Sequence, residues 1–270
     1  MCKFSIIIPC YNEEKNIRRC LNSIFCQTLD KKKYEVIVID DGSQDNSINI
    51  IKEFDLRLFN SNRLGAGGAR NIGINNAIGE YIILLDADDY LYNNDVLEKL
   101  DNRLTNQDVV FVKYKKISGN TEQILEENNL NSIDEQIYSA KHFCCTLKCF
   151  KRKLAKNIKY KEISYHEDIS FTMELMCKAK TLLYFDEILY VYYREQNTST
   201  TDNYSVKKAL DFLTQTLEYL NLADKYKDKK DALIKRIEKE GYIDKVQKLE
   251  DWIINDKPCS YTEYLYNKKN

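Results

Sequence analysis

Tyr81-Ile82-Ile83-Leu84-Leu85-Asp86-Ala87-Asp88-Asp89 joins a short apolar run to three carboxylates within four residues. A run that is apolar on both faces marks a strand buried in a parallel sheet, so the carboxylates fall just beyond its carboxyl end. Tyr34-Glu35-Val36-Ile37-Val38-Ile39 repeats the arrangement and ends in Asp40-Asp41-Gly42-Ser43, where Ser43 is placed to cap a helix over Asn46 to Phe54. Phe4 to Pro9 is a third such run, followed by the polar turn Tyr11-Asn12-Glu13-Glu14 and a helical pattern with Ile17, Leu21, Ile24 and Phe25 on one face. Strands of this kind alternating with helices predict an α/β fold, a mostly parallel Rossmann-like sheet with helices on both sides. Ligands of open α/β sheets bind outside the carboxyl ends of the strands, so Asp40-Asp41 and Asp86 to Asp89 share one candidate edge.

Working outward, the pattern predicts an extended piece near Leu56 to Phe59, a glycine-rich loop, a helix from about Ala69 to Ala77, and a strand at Val109 to Val112. Lys115 to Gln136 is polar and reads as a loop or insertion. Ile169 to Ala179 reads as a helix, and Leu182 to Phe185 and Leu189 to Tyr193 as two aromatic-rich strands. From Ser205 the apolar residues Val206, Leu210, Leu213, Leu217 and Leu220 follow helical spacing, which predicts a C-terminal helical appendage.

The 270 residues suit one large domain or one domain with such an appendage. With 41 basic against 42 acidic side chains, a strongly basic nucleic-acid binder is excluded. Apolar runs fall short of the roughly 18 to 20 residues of a membrane span, and no signal-peptide pattern opens the chain, so a cytoplasmic protein is expected. Nine scattered cysteines without a CxxC pair indicate reduced thiols. Adjacent Cys144 and Cys145, with only His142 and His166 as histidines, argue against structural zinc. Six of the eight glycines lie between Gly42 and Gly79, which concentrates backbone freedom near the acidic edge.

Three crowded carboxylates repel one another unless a cation or donor groups offset their charge. Hard oxygen ligands suit Mg²⁺ or Mn²⁺, typically shared with substrate phosphates, so Asp86, Asp88 and Asp89 point to a metal-bound phosphoanhydride; the alternative is an acidic turn capping a helix. The stretch Asn62-Arg63-Leu64-Gly65-Ala66-Gly67-Gly68-Ala69-Arg70-Asn71 offers backbone donors at a helix start and two arginines, a counterpart for phosphates.

Taken in order, Ser5-Ile6-Ile7-Ile8-Pro9-Cys10-Tyr11-Asn12-Glu13, Val38-Ile39-Asp40-Asp41-Gly42-Ser43, Gly68-Ala69-Arg70-Asn71-Ile72-Gly73, Gly79-Glu80-Tyr81, Leu85-Asp86-Ala87-Asp88-Asp89 and His166-Glu167-Asp168-Ile169-Ser170-Phe171 resemble the family 2 glycosyltransferases. These are inverting enzymes of GT-A fold, of the bacterial surface-polysaccharide type, and the likeness covers roughly positions 3 to 200. It implies a catalytic domain over 1–200, with a nucleotide-binding half to about 114 and an acceptor-side half to about 200, followed by a helical region over 201–270. It also implies a nucleotide-sugar donor, read as a UDP-sugar from the base contact, and a saccharide or lipid-linked glycan acceptor.

The family pattern places Pro9, Tyr11 and Glu13 near the nucleoside and Asp41 on the base edge. Tyrosine offers a flat stacking surface, and a carboxylate accepts from a uracil N–H. Asp86 would lie near the ribose or donor sugar and Asp88 on Mn²⁺ or Mg²⁺, with Asp89 sharing either task and Arg70 in the donor site. Asp168 would be the general base with Glu167 beside it, and His166 a metal or diphosphate contact or an orienting neighbour. Arg194 and Ser199, in Tyr192-Tyr193-Arg194-Glu195-Gln196-Asn197-Thr198-Ser199-Thr200, would close over the diphosphate.

The sequence leaves two rivals. A sugar nucleotidyltransferase would carry a glycine-rich basic loop after the first strand, where this chain has Pro9-Cys10-Tyr11-Asn12. A non-catalytic nucleotide-binding scaffold is disfavoured by the joint presence of Asp41, Asp86, Asp88 and Asp168. The helical tail is expected to pack on the main domain or a partner subunit, with peripheral contact at the inner face of the membrane as the alternative.

Overall fold

The structure is a computed structural model that describes residues 2–126, 132–139, 148–161, 167–194, 206–239 and 241. Among the described residues, nine strands form one sheet: β1 Phe4–Cys10, β2 Tyr34–Asp40, β3 Arg57–Asn60, β4 Tyr81–Leu84, β5 Tyr90–Leu91, β6 Val109–Ser118, β7 Thr121–Leu125, β8 Cys149–Lys151 and β9 Leu182–Arg194. The helices described are α1 Ile17–Phe25, α2 Ser47–Ile51, α3 Gly65–Asn76, α4 Val96–Arg103, α5 Ile133–Ser139, α6 Arg152–Ala155, α7 Glu167–Lys178, α8 Val206–Lys225 and α9 Lys230–Lys239.

The strand order is β3-β2-β1-β4-β8-β6-β9-β5, with β7 added to β6. The first four strands are parallel. Beyond β4 the sheet is mixed: β8 runs antiparallel to both β4 and β6, whereas β6 and β9 are parallel. Successive side chains of a strand point to opposite faces, and β1 serves both: Ile7 packs with Ile37, Ile39 and Ala69, while Phe4, Ile6 and Ile8 pack with Ile17, Leu21 and Ile24 of α1. That is why β1 reads as an unbroken apolar run. On the Ile7 face, α3 lies so close to β1 that a methyl group on Gly73 would come within 2.3 Å of Ile7 Cγ2.

Several expected boundaries change. The described part of Lys115 to Gln136 is not a loop: β6 extends into it as far as Ser118 and turns into β7, and α5 begins at Ile133. The hairpin escapes a hydrophobicity reading because β7 is largely exposed, with the pattern of an edge strand rather than a core one. The two expected aromatic strands are the single strand β9, irregular in its pairing with β6 around Val112 and Tyr114. The second helix spans only Ser47–Ile51 and is not capped by Ser43; the Ser47 N–H donates to Asp45 at 3.0 Å.

The C-terminal helices share the core of the Ile7 face, burying Tyr219, Leu222 and Ala223 of α8 and Ala232, Leu233 and Ile237 of α9. Leu217 and Leu220 of α8 remain exposed. Among the described residues, no helix is long and apolar enough to cross a membrane.

Candidate active site

The carboxyl ends of β1 and β2 carry two loops laced to each other. Asn12 N–H donates to Ser43 Oγ at 2.9 Å, Gln44 N–H to Asn12 Oδ1 at 2.8 Å, Glu13 N–H to Ser47 Oγ at 2.8 Å, and Asn46 N–H to Glu14 Oε2 at 2.9 Å. Pro9 fits inside β1 because its neighbour β4 is already finished, its last partner being Ile7 opposite Leu84, so no ladder donor is lost on that side. Tyr11 is exposed, and the Arg63 guanidinium sits 4.5 Å from its ring centroid. Glu13 accepts from Asn16 Nδ2 at 2.9 Å; burial pushes its carboxyl above the usual range, and Asp88 adds to the effect.

Asp41 is buried at the start of α3, where its carboxylate accepts from Ser61 Oγ at 2.6 Å, Leu64 N–H at 2.8 Å and Gly65 N–H at 2.7 Å. The glycine-rich stretch is therefore the first turn of α3, not a loop ahead of a helix at Ala69, and Gly65 enters it with φ at +75°. Asp41 already occupies the donors expected to face a phosphate. Three of a carboxylate's roughly four lone-pair positions are filled, which leaves one for a ligand.

Arg70 is buried and turns inward, bridging Asp86 and Glu167 at 2.8 Å each. The second oxygen of Asp86 meets Lys148 Nζ at 3.2 Å. Burial opposes ionisation of Asp86, but Lys148 and Arg70 outweigh it and hold the carboxyl well below its ordinary value. Burial and then the charge of Asp86 raise both Asp88 and Asp89. Asp89 is 1% exposed; its Oδ1 accepts from Tyr193 N–H at 3.1 Å, and its Oδ2 is buried without a partner among the described residues.

No group of three His, Cys, Asp or Glu side chains among the described residues forms a metal site by itself. Asp86 is committed to two cations and Asp89 faces β9, whereas Asp88 has no ion-pair partner among the described residues. One carboxylate completed by phosphate oxygens is a donor set that Mg²⁺ or Mn²⁺ accepts, so Asp88 fits the expected group with substrate supplying the rest. His166 and Ser199 lie outside the described residues.

Glu167 and Asp168 open α7, where an anion is favoured by the helix N-terminus. Asp168 lines a cavity of about 150 Å³ together with Arg70, Asp86, Lys148, Tyr160 and Tyr192. Arg194 ends β9 with its guanidinium carbon 4.8 Å from the Tyr192 ring centroid. Lys148 escaped sequence reading because it stands 62 residues from its partner Asp86 in a cysteine-rich stretch, and only the pairing of β8 with β4 brings it there.

A family model for glycosyl transferase family 2 matches residues 5–164. The poly(ribitol-phosphate) beta-N-acetylglucosaminyltransferase TarP of Staphylococcus aureus is 34% identical over 77% of this chain and 68% of its own length. The poly(ribitol-phosphate) beta-glucosyltransferase of Bacillus spizizenii is also 34% identical over 67% of this chain, which spans only 30% of that relative. The crystal structure of S. aureus TarS in complex with UDP-GlcNAc superposes with a TM-score of 0.66 and 26% identity, over 81% of this chain and 67% of that one. With the fold of that structure and a family match over more than half of its length, the chain belongs to glycosyltransferase family 2, on a GT-A fold.

Proposed function

We propose that the chain transfers a sugar, with inversion, from a nucleotide-diphosphate sugar of the UDP class to a saccharide or lipid-linked glycan acceptor in polysaccharide assembly. The observation that carries this reading is the Arg70 bridge between Asp86 of the acidic loop and Glu167 of α7, which leaves Asp86 and Asp168 on one cavity. The solved complex of TarS with UDP-GlcNAc supports the donor class, and the two relatives named for poly(ribitol-phosphate) support a polymeric surface acceptor.

In this reading the laced loops hold the nucleoside, with Pro9 and Glu13 beside it, Tyr11 offering a stacking face, and Asp41 using its remaining lone pair on the base edge. Asp168 takes the proton of the acceptor hydroxyl as its oxygen attacks the anomeric carbon and the bond to the nucleoside diphosphate breaks. A single direct displacement of this kind inverts the centre. Asp88 would hold Mn²⁺ or Mg²⁺, whose chemistry there is Lewis-acid stabilisation of the departing diphosphate. Lys148 and Arg70 keep Asp86 ionised toward the donor sugar, and Arg194 stands at the end of β9 as a diphosphate contact.

General-base catalysis is worth roughly 10²- to 10⁴-fold, so Asp168→Asn should lower turnover by about that factor while UDP binding is retained. Unchanged turnover in this variant would remove Asp168 as the base.

A further inference from the structure

Arg19, on α1, contacts both the acidic loop and the end of β9 while belonging to neither. Its Nη2 donates to the Asp88 carbonyl at 2.8 Å and to Asn16 Oδ1 at 3.1 Å. Its guanidinium carbon lies 3.9 Å from the ring centroid of Tyr193 and 5.0 Å from that of Tyr90. The Tyr193 N–H in turn donates to Asp89, and the Asp89 N–H donates to the Asp86 carbonyl at 3.0 Å. One guanidinium thus joins three pieces of chain that are remote in sequence: the helix after the nucleotide-side loop, the acidic loop, and the end of β9 that carries Arg194.

A planar guanidinium suits this place because it stacks on aromatic faces while its edge donates hydrogen bonds, which an ammonium does with less directionality. The bond to the Asp88 carbonyl fixes the backbone from which the Asp88 carboxylate projects. Within the loop the Asp89 N–H donates to the Asp86 carbonyl, which also accepts a weak bond from Cys20 Sγ of α1 at 3.7 Å, so the charged donor Arg19 is the stronger of the two ties from α1 to the loop backbone.

We infer that Arg19 is a positioning residue: it locks the Asp86 to Asp89 loop to Tyr193 and so sets Asp88 for a cation and diphosphate bound between that loop and the end of β9. The inference rests on the proposed donor reading. Outer partners that orient metal ligands typically change metal affinity or activity by about 10- to 100-fold when lost.

The test is calorimetric titration of UDP, with and without Mn²⁺, into the parent protein, Arg19→Met and Arg19→Lys, together with amide hydrogen exchange of each protein free of ligand. The expected result is that Arg19→Met weakens Mn²⁺-dependent UDP binding by about 10-fold or more. Metal-free UDP binding should stay within about twofold, since the loops around Tyr11 and Asp41 are held by other bonds, and Arg19→Lys should recover part of the lost affinity through its remaining donor. Exchange should rise at residues 86–89 and 190–194 in Arg19→Met and remain unchanged in β1 and β2.

Equal loss of UDP affinity with and without metal, unchanged binding and exchange, or failure of Arg19→Met to fold would each overturn the assignment, leaving Arg19 a structural residue or a bystander. Absence of Mn²⁺-dependent UDP binding in the parent would instead refute the donor reading, and the exchange comparison would still decide whether Arg19 locks the loop.

Discussion

The two sides of the sheet's ligand edge are built on opposite principles. On the β1–β2 side, Asn12, Glu13, Glu14, Asp41, Ser43 and Ser47 lace neighbouring loops together, so the platform is complete without a ligand. On the β4 side, three carboxylates are crowded together; Asp86 pairs with Arg70 and Lys148, Asp88 is left with a raised affinity for its proton, and one oxygen of Asp89 is buried without a partner among the described residues. A region that is electrostatically satisfied contributes shape and rigidity, whereas one that is short of positive charge is where a cationic ligand gains most. The difference teaches that substitutions on the first side should act mainly on stability and those on the second mainly on binding and chemistry.

The strongest way to break that division is Asp168→Asn, expected to cut turnover by about 10²- to 10⁴-fold with little change in thermal stability. Next comes Asp41→Ala, which leaves Ser61 Oγ and the N–H groups of Leu64 and Gly65 without their acceptor. These donors are only partly buried and Ser61 Oγ keeps the Asp40 carbonyl at 3.5 Å, so chemical denaturation should show a loss of about 1 kcal/mol, the low end of the cost of an unsatisfied donor. Asp41→Ala as stable as the parent would mean that the platform is not held as described.

The smallest effect concerns Asp89. Burial, then Asp86, raises its folded-state affinity for a proton, so folding takes up a proton at this site. Stability contributed by that proton is present at acid pH and is lost as pH rises above the ordinary carboxylate range. Asp89→Asn keeps an oxygen for the Tyr193 N–H but removes the charge, so its stability at pH 8 relative to pH 5 should fall less than the parent's. A steeper fall in the variant would reverse the sign assigned here.

Much of this edge was legible in the sequence. The strands β1, β2 and β4 are covered on both faces, so their composition alone marks them, and the carboxylates follow at their ends. The start of α3 was displaced because Gly65, Gly67 and Gly68 are poor helix formers, while the group that organises that first turn, Asp41, comes from another strand end. The β6–β7 hairpin was missed because its exposed residues leave no apolar face to detect. Lys148 and Arg19 were missed for a third reason: each acts on the acidic loop across more than 60 residues of chain, a relation that no local pattern carries.

The most direct test of the central claim is calorimetric titration of UDP into the protein with and without Mn²⁺, repeated for Asp88→Ala. The account predicts that Mn²⁺ strengthens UDP binding in the parent and that this gain disappears in Asp88→Ala, while the metal-free affinity persists. A Mn²⁺-dependent gain of equal size in the variant, or no UDP binding by the parent under either condition, would contradict it.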